Sequence, residues 1–248
     1  MPLLLPREHG AYGQLLLSLL SALALFGKPR LTSLLLCGAA LLLFWAHEPL
    51  LLLLGHRGAR PKRQLGKTAA ILFPLLLCGT LCLVLLAVHL HHALLYPLAL
   101  PLGLGLSVVP FVLAKQEKTS LAEVLVALAL SSWAVPVLHS KHAVQIMVWF
   151  VWGSLALSLC VAVLAVRGLL GKTPLWLAWV LSGLGIGCAF VLSRYGVLPK
   201  HGWLPEMPAL FLALVLQVFK PGPRLLRQVG WAIVAAVSLQ ALLFQAVV

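Results

Sequence analysis

Aspartate is absent from the 248 residues, and only five glutamates, Glu8, Glu48, Glu117, Glu123 and Glu206, carry negative charge. Magnesium or calcium sites built from paired carboxylates have almost nothing to draw on. Charge of either sign is scarce, at 9% of residues against 62% hydrophobic, with mean hydropathy +1.07. A typical soluble domain carries about 25% charged residues, so this composition excludes one and reads as a polytopic membrane protein. No Walker phosphate loop, His-Glu-x-x-His metal motif or nucleophile beside a base occurs. Gly183, Gly185 and Gly187 resemble a dinucleotide fingerprint only in spacing. They sit inside an apolar run without a preceding strand, so Gly183 and Gly187 are expected to form a close-packing helix face. The five cysteines, Cys37, Cys78, Cys82, Cys160 and Cys188, all lie in apolar runs, which excludes a loop disulfide framework and predicts small core residues. Met1 to Pro6 lacks the charged start and small-residue cleavage site of a signal peptide, so the N-terminus is expected to be retained.

What is present is a series of apolar runs long enough to cross a bilayer, which takes about 20 residues. Nine spans are predicted, at 10–27, 31–54, 68–90, 94–113, 120–138, 143–166, 174–193, 203–219 and 226–247. The eighth is short and opens with Pro205, Glu206 and Pro208. The fold class is thus all-α, a membrane helical bundle, with residues 1–248 read as one transmembrane domain. Its 18 Lys and Arg give a net charge of +13 and fall in short loops. Thirteen of them lie on the side of Arg7, Arg57–Lys67, Lys115, Lys118, Arg167, Lys172 and Lys220–Arg227, and five on the other. Lys and Arg collect in cytoplasmic loops, so the N-terminus is expected in the cytoplasm and the C-terminus outside, across a bacterial inner membrane. With basic residues flanking apolar spans, the expected partners are anionic membrane lipids and not nucleic acid.

The strongest candidate for chemistry is Trp45-Ala46-His47-Glu48-Pro49. An ionised carboxylate at membrane depth costs roughly 2.5 to 3.5 kcal/mol on insertion scales, so Glu48 asks for a reason. Pro49 removes one backbone donor and frees the carbonyl of Trp45 beside it. His47 and Glu48 are therefore the candidate acid-base pair, and the alternative is a structural cluster in which Glu48 pairs with Arg57 or Arg7. Steps of three and four residues put Gly10, Gln14, Ser18 and Ser21 on one face of the first span, and Glu123, Ala127, Ser131 and Ala134 on one face of the fifth. Both faces are expected to look inward, either lining one cavity or simply packing. Six histidines, His89, His91, His92, His139, His142 and His201, fall on the opposite side, without regular ligand spacing.

Pro6-Arg7-Glu8-His9-Gly10-Ala11-Tyr12, followed by a second span that ends in an acidic-basic element, resembles the YwiC-like family of bacterial membrane proteins, most strongly over residues 6–75. Nine spans, an internal N-terminus and polar motifs after the second and sixth spans are also similar to UbiA-type prenyltransferases. That resemblance implies a pocket for a prenyl diphosphate, with Glu48 in the first motif. The second loop, Arg167 to Lys172, keeps no carboxylate, so the magnesium of that family has no counterpart here. What the resemblance leaves is an amphipathic cavity for an isoprenoid, quinone or lipid. Glu48 and His47 would act on or orient the ligand, while Glu8, His9, Arg57, Arg60, Arg63, Glu123 and Arg167 would bind it. No cofactor is identified. A proton-coupled or solute transporter, and an accessory subunit of a membrane complex, are the competing expectations.

Overall fold

The computed structural model describes residues 9–56, 59–174, 176–222 and 225–247, with the side chains of residues 9, 59–62 and 226–227 left aside. Regular structure among these residues is entirely helical: α1 His9–Ala24, α2 Leu31–Leu53, α3 Ala59–Leu90, α4 Leu95–Leu113, α5 Ser120–Ser131, α6 Ala134–His139, α7 Gln145–Leu169, α8 Trp176–Arg194, α9 Met207–Phe219 and α10 Leu226–Val247. Short 3-10 turns, His92–Leu94 and Leu204–Glu206, precede α4 and α9. Helices satisfy their own backbone groups, as apolar runs inside hydrocarbon must. Seven stretches among the described residues are long and apolar enough to cross a membrane, α5 and α6 counting together. All nine predicted spans fall on helices, but α1 and α9 are short. At 13 residues α9 is about 20 Å long, less than a hydrocarbon core of about 30 Å.

The distribution of side chains inverts that of a soluble protein. Ile71, Leu75, Leu81 and Leu85 of α3 are exposed, whereas Ser18, Ser33, Ser131, Ser132, Ser154 and Ser158 are buried. With lipid as solvent there is no hydrophobic gain in hiding leucine, so small residues that let backbones approach take the interior. Helix α7 is central, packing against α5, α6, α8, α9 and α10, while α3 leans almost wholly on α2. That α2–α3 hairpin interlocks reciprocally. A Cβ on Gly38 would lie 3.1 Å from Leu83 Cδ1, and one on Gly79 would lie 3.1 Å from Leu42 Cδ1.

Three expectations are corrected. The fifth span is broken at Ser132–Trp133: Pro136 has no N–H for the Ser132 carbonyl, which accepts from Val135 N at 3.0 Å in a tighter turn. Ser131 and Ser132 reinforce the break by donating their hydroxyls to the carbonyls of Leu128 and Ala129, at 3.0 and 2.7 Å. The close-packed glycine of α8 is Gly185, where a Cβ would overlap Leu157 Cδ2; Gly183 and Gly187 have open space around them. Only Cys37 and Cys160 are buried, while Cys78, Cys82 and Cys188 are exposed on the helix surfaces. A thiol behaves as a small apolar group, and helices apolar all round give no pattern from which its face can be read.

Candidate functional site

Helices α2, α4 and α7 finish at one end of the bundle, where the connections are rich in Lys and Arg. His56 Nδ1, just past α2, lies 2.8 Å from Glu117 Oε2 in the α4–α5 connection. Arg167 Nη1, in the last turn of α7, lies 2.8 Å from Glu123 Oε1 in the first turn of α5. It also donates to the Lys118 carbonyl at 3.0 Å. Each partner suits its helix end, a carboxylate at the positive end of α5 and a guanidinium at the negative end of α7. Arg167 is buried and Glu123 half-buried, so this carboxylate caps the inward face at its rim; Ala127, Ser131 and Ala134 below it are buried as expected.

Glu48 is 5% exposed, inside α2 and immediately before Pro49. His47 beside it is half-buried. Tyr12 of α1 reaches this region: its ring stands edge-on to Phe44 with centroids 4.7 Å apart, and its hydroxyl lies near Trp45 and Glu48. The Trp45 indole N–H is buried, with the Tyr12 hydroxyl as its nearest described acceptor. The first two helices therefore bring a phenol, an indole and a carboxylate together beside the proline inside α2. On the α1 face, Ser18 and Ser21 are buried, Gln14 is half-buried and Gly10 is exposed. Arg63 is exposed. Glu8 and Arg57 lie outside the described residues, as do the side chains of His9 and Arg60.

The described connections at the opposite end carry one carboxylate, Glu206 in the turn before α9, and it is buried. Lys141 is buried there, and its Nζ donates to the carbonyl oxygens of Ala22 at 3.4 Å, Leu23 at 2.8 Å and Leu25, closing the end of α1. Burial lowers its pKa. The Ser33 and Ser140 hydroxyls, 2.8 Å apart, fasten the start of α2 to the loop after α6. His91 and His142 stack with ring centroids 5.0 Å apart. Burial first, then the neighbouring His142, His139 and Arg30, lower the His91 pKa below its ordinary value. Among the described residues no three His, Cys or Glu side chains converge as metal ligands.

The sequence reading passed over a third polar region. Glu206, in the turn before α9, is 3% exposed and accepts a hydrogen bond from Ser154 of α7. Ser154 lies nine residues into α7, roughly 14 Å from its start, so Glu206 sits at depth. Its signal was a lone Glu between Pro205 and Pro208, facing a Ser-x-x-x-Ser step on the seventh helix.

Fold and side chains together define a multi-span helical membrane protein with carboxylates held inside the bundle. The family model described as YwiC-like protein matches residues 5–138, more than half of the chain. The chain belongs to the YwiC-like family. That match covers α1 to α5 and most of α6, including the Tyr12–Glu48 region, and stops before α7. Neither the curated proteins nor the solved structures give a significant match.

Proposed function

We propose that the protein is a lipid-binding membrane bundle, set in the inner membrane with its N-terminus cytoplasmic, that holds an isoprenoid, quinone or related lipid. The observation that carries this reading is a cavity of about 280 Å³ between α1 and α10, lined by Leu17, Leu20, Ser21, Ser238, Leu242 and Gln245 among others. Most of its lining is apolar, which suits an occupant drawn from the hydrocarbon phase. Ser21, Ser238 and Gln245 supply donors that a bare acyl chain leaves unused and that a quinone or ester carbonyl accepts. Helix α1 also carries Tyr12 toward Glu48 on its other side, so occupancy of the groove and the state of Glu48 are coupled through one helix. The carboxylates Glu117 and Glu123 are engaged by His56 and Arg167, which argues for holding or positioning a lipid and against magnesium-dependent prenyl transfer. Arg57, Arg60 and Arg63 belong to the basic stretch after α2, at the other end of the bundle from this groove, and are left to anionic lipid headgroups at that membrane surface.

Lipid mass spectrometry on the purified protein tests this. A discrete prenyl lipid or quinone is expected with wild type and is lost in Ala241→Trp, which fills the groove. Bulk phospholipid alone, unchanged by that substitution, overturns the reading. A second reading, proton-coupled or small-solute transport, draws on buried Glu48 beside a proline inside the helix, which has no backbone N–H to donate. A pH-driven flux in proteoliposomes that vanishes in Glu48→Gln would favour it.

A further inference from the structure

Between α7, α8, the turn before α9, and α10 lies a set of polar atoms that the lipid reading does not use. Glu206 Oε2, Ser158 Oγ and both Oε1 and Nε2 of Gln240 are buried without hydrogen-bond partners. Their residues are 3%, 4% and 1% exposed. A buried polar group left unmatched costs about 1 to 3 kcal/mol, and a charged one more, so several together in one place are not a neutral packing accident. Ser158 and Gln240 line the same enclosed cavity of about 10 Å³, with Ala209 and Ala213 of α9 among its other walls. That volume holds one water. Ser154, which donates to Glu206, stands one helical turn from Ser158, and Glu206 stands one turn from Ala209. The carboxylate and its serine thus lie outside the cavity lining, each one turn from a residue that belongs to it.

Gly185 of α8 packs on the carboxylate from outside the cavity. A Cβ there would lie 3.9 Å from Glu206 Oε2 and would overlap Leu157, so the absent side chain lets α8 close over the carboxylate. No Lys, Arg or His among the described residues pairs with Glu206. The groups present are a single negative charge, two hydroxyls and an amide oxygen, the donor set of a hard cation. A divalent ion would leave one uncompensated positive charge in an apolar interior, whereas a monovalent ion leaves none. The short α9 and the turn before it supply the break in helical structure from which membrane proteins assemble midplane ion sites.

We propose that Glu206 and Ser154 bind one small monovalent cation of sodium size, whose shell is completed by a water in the cavity lined by Ser158 and Gln240. The site lies in α7–α10, outside the family-matched region, and does not depend on what occupies the α1–α10 groove.

The test is thermal unfolding of the purified full-length protein at constant ionic strength, with sodium chloride replaced stepwise by choline chloride, at two pH values. Sodium is expected to raise the midpoint saturably by several degrees, as a ligand of the folded state must. Glu206→Gln is expected to abolish the shift. Ser154→Ala and Gln240→Leu are expected to weaken sodium binding roughly tenfold each, the effect of losing one polar contact to a charged group. Equal midpoints in sodium and choline overturn the proposal, as does a midpoint that follows pH alone, which would make the occupant a proton. A sodium shift surviving in Glu206→Gln overturns it too. If that variant fails to fold, Ser154→Ala and Gln240→Leu decide, with direct radioactive sodium binding to wild type as the second measurement.

Discussion

At the end of the bundle where α2, α4 and α7 finish, cations meet carboxylates, His56 with Glu117 and Arg167 with Glu123. At the other end the one carboxylate of the described connections, Glu206, bonds to Ser154 instead, while Lys141 is satisfied by three main-chain carbonyls and His91 is pressed among other basic groups. The first arrangement draws on side-chain charge, the second on the negative end of a helix. The contrast teaches that the four described carboxylates, Glu48, Glu117, Glu123 and Glu206, stand at one rim or in the interior. Lys141, a buried cation among the described residues that meets none of them, is held by backbone.

Breaking the backbone-held end should have the largest effect. Lys141→Met leaves the carbonyls of Ala22, Leu23 and Leu25 without their donor, and a loss of about 3 kcal/mol is expected in denaturant or thermal unfolding. Arg167→Ala removes a guanidinium that touches both a carboxylate and a carbonyl. Because Glu123 is only half-buried and can rehydrate, the expected loss is smaller, about 1 to 2 kcal/mol, and a double-mutant cycle with Glu123→Gln should show positive coupling. His56→Gln keeps one hydrogen bond to Glu117 and should cost about 1 kcal/mol or less by the same assay. The smallest effect sharpens the comparison through pH. His91 has a lowered pKa in the folded protein, so its contribution to stability is full above the unfolded value of about 6.5 and is lost as pH falls below it. Melting at a series of pH values should show this acid-side slope in wild type and a shallower one in His91→Gln.

The positions of the helices were legible because apolar runs and basic loops are direct consequences of a bilayer solvent, whereas the number of spans was not: the apolar runs predict nine, and seven described stretches are long and apolar enough to cross. The burial of Glu48 was legible for the same reason, as a carboxylate amid leucines is conspicuous. The helix faces were less so. Gly183 and Gly187 share a helical face by spacing, yet Gly185 is the one that packs, because in a helix apolar all round nothing in the pattern marks which side meets a neighbour. Glu206 was seen only as a weakness of a short span. Its meaning rests on Ser154, 52 residues earlier, and no local pattern joins the two. The break at Ser132–Trp133 had a sequence cause in Pro136 and the paired serines, but hydropathy averages across it.

Lys141 also sets a timetable for synthesis. The carbonyl of Leu23 that it closes is made 118 residues before the lysine. At translation rates of about 5 to 20 residues per second, the end of α1 waits roughly 6 to 24 s for its own donor. During that interval water or lipid headgroups must serve those carbonyls, so α1 can enter the membrane early but can reach its final depth only after α6 and the loop beyond it have arrived. A chain stalled before residue 141 would therefore leave the end of α1 without its own donor.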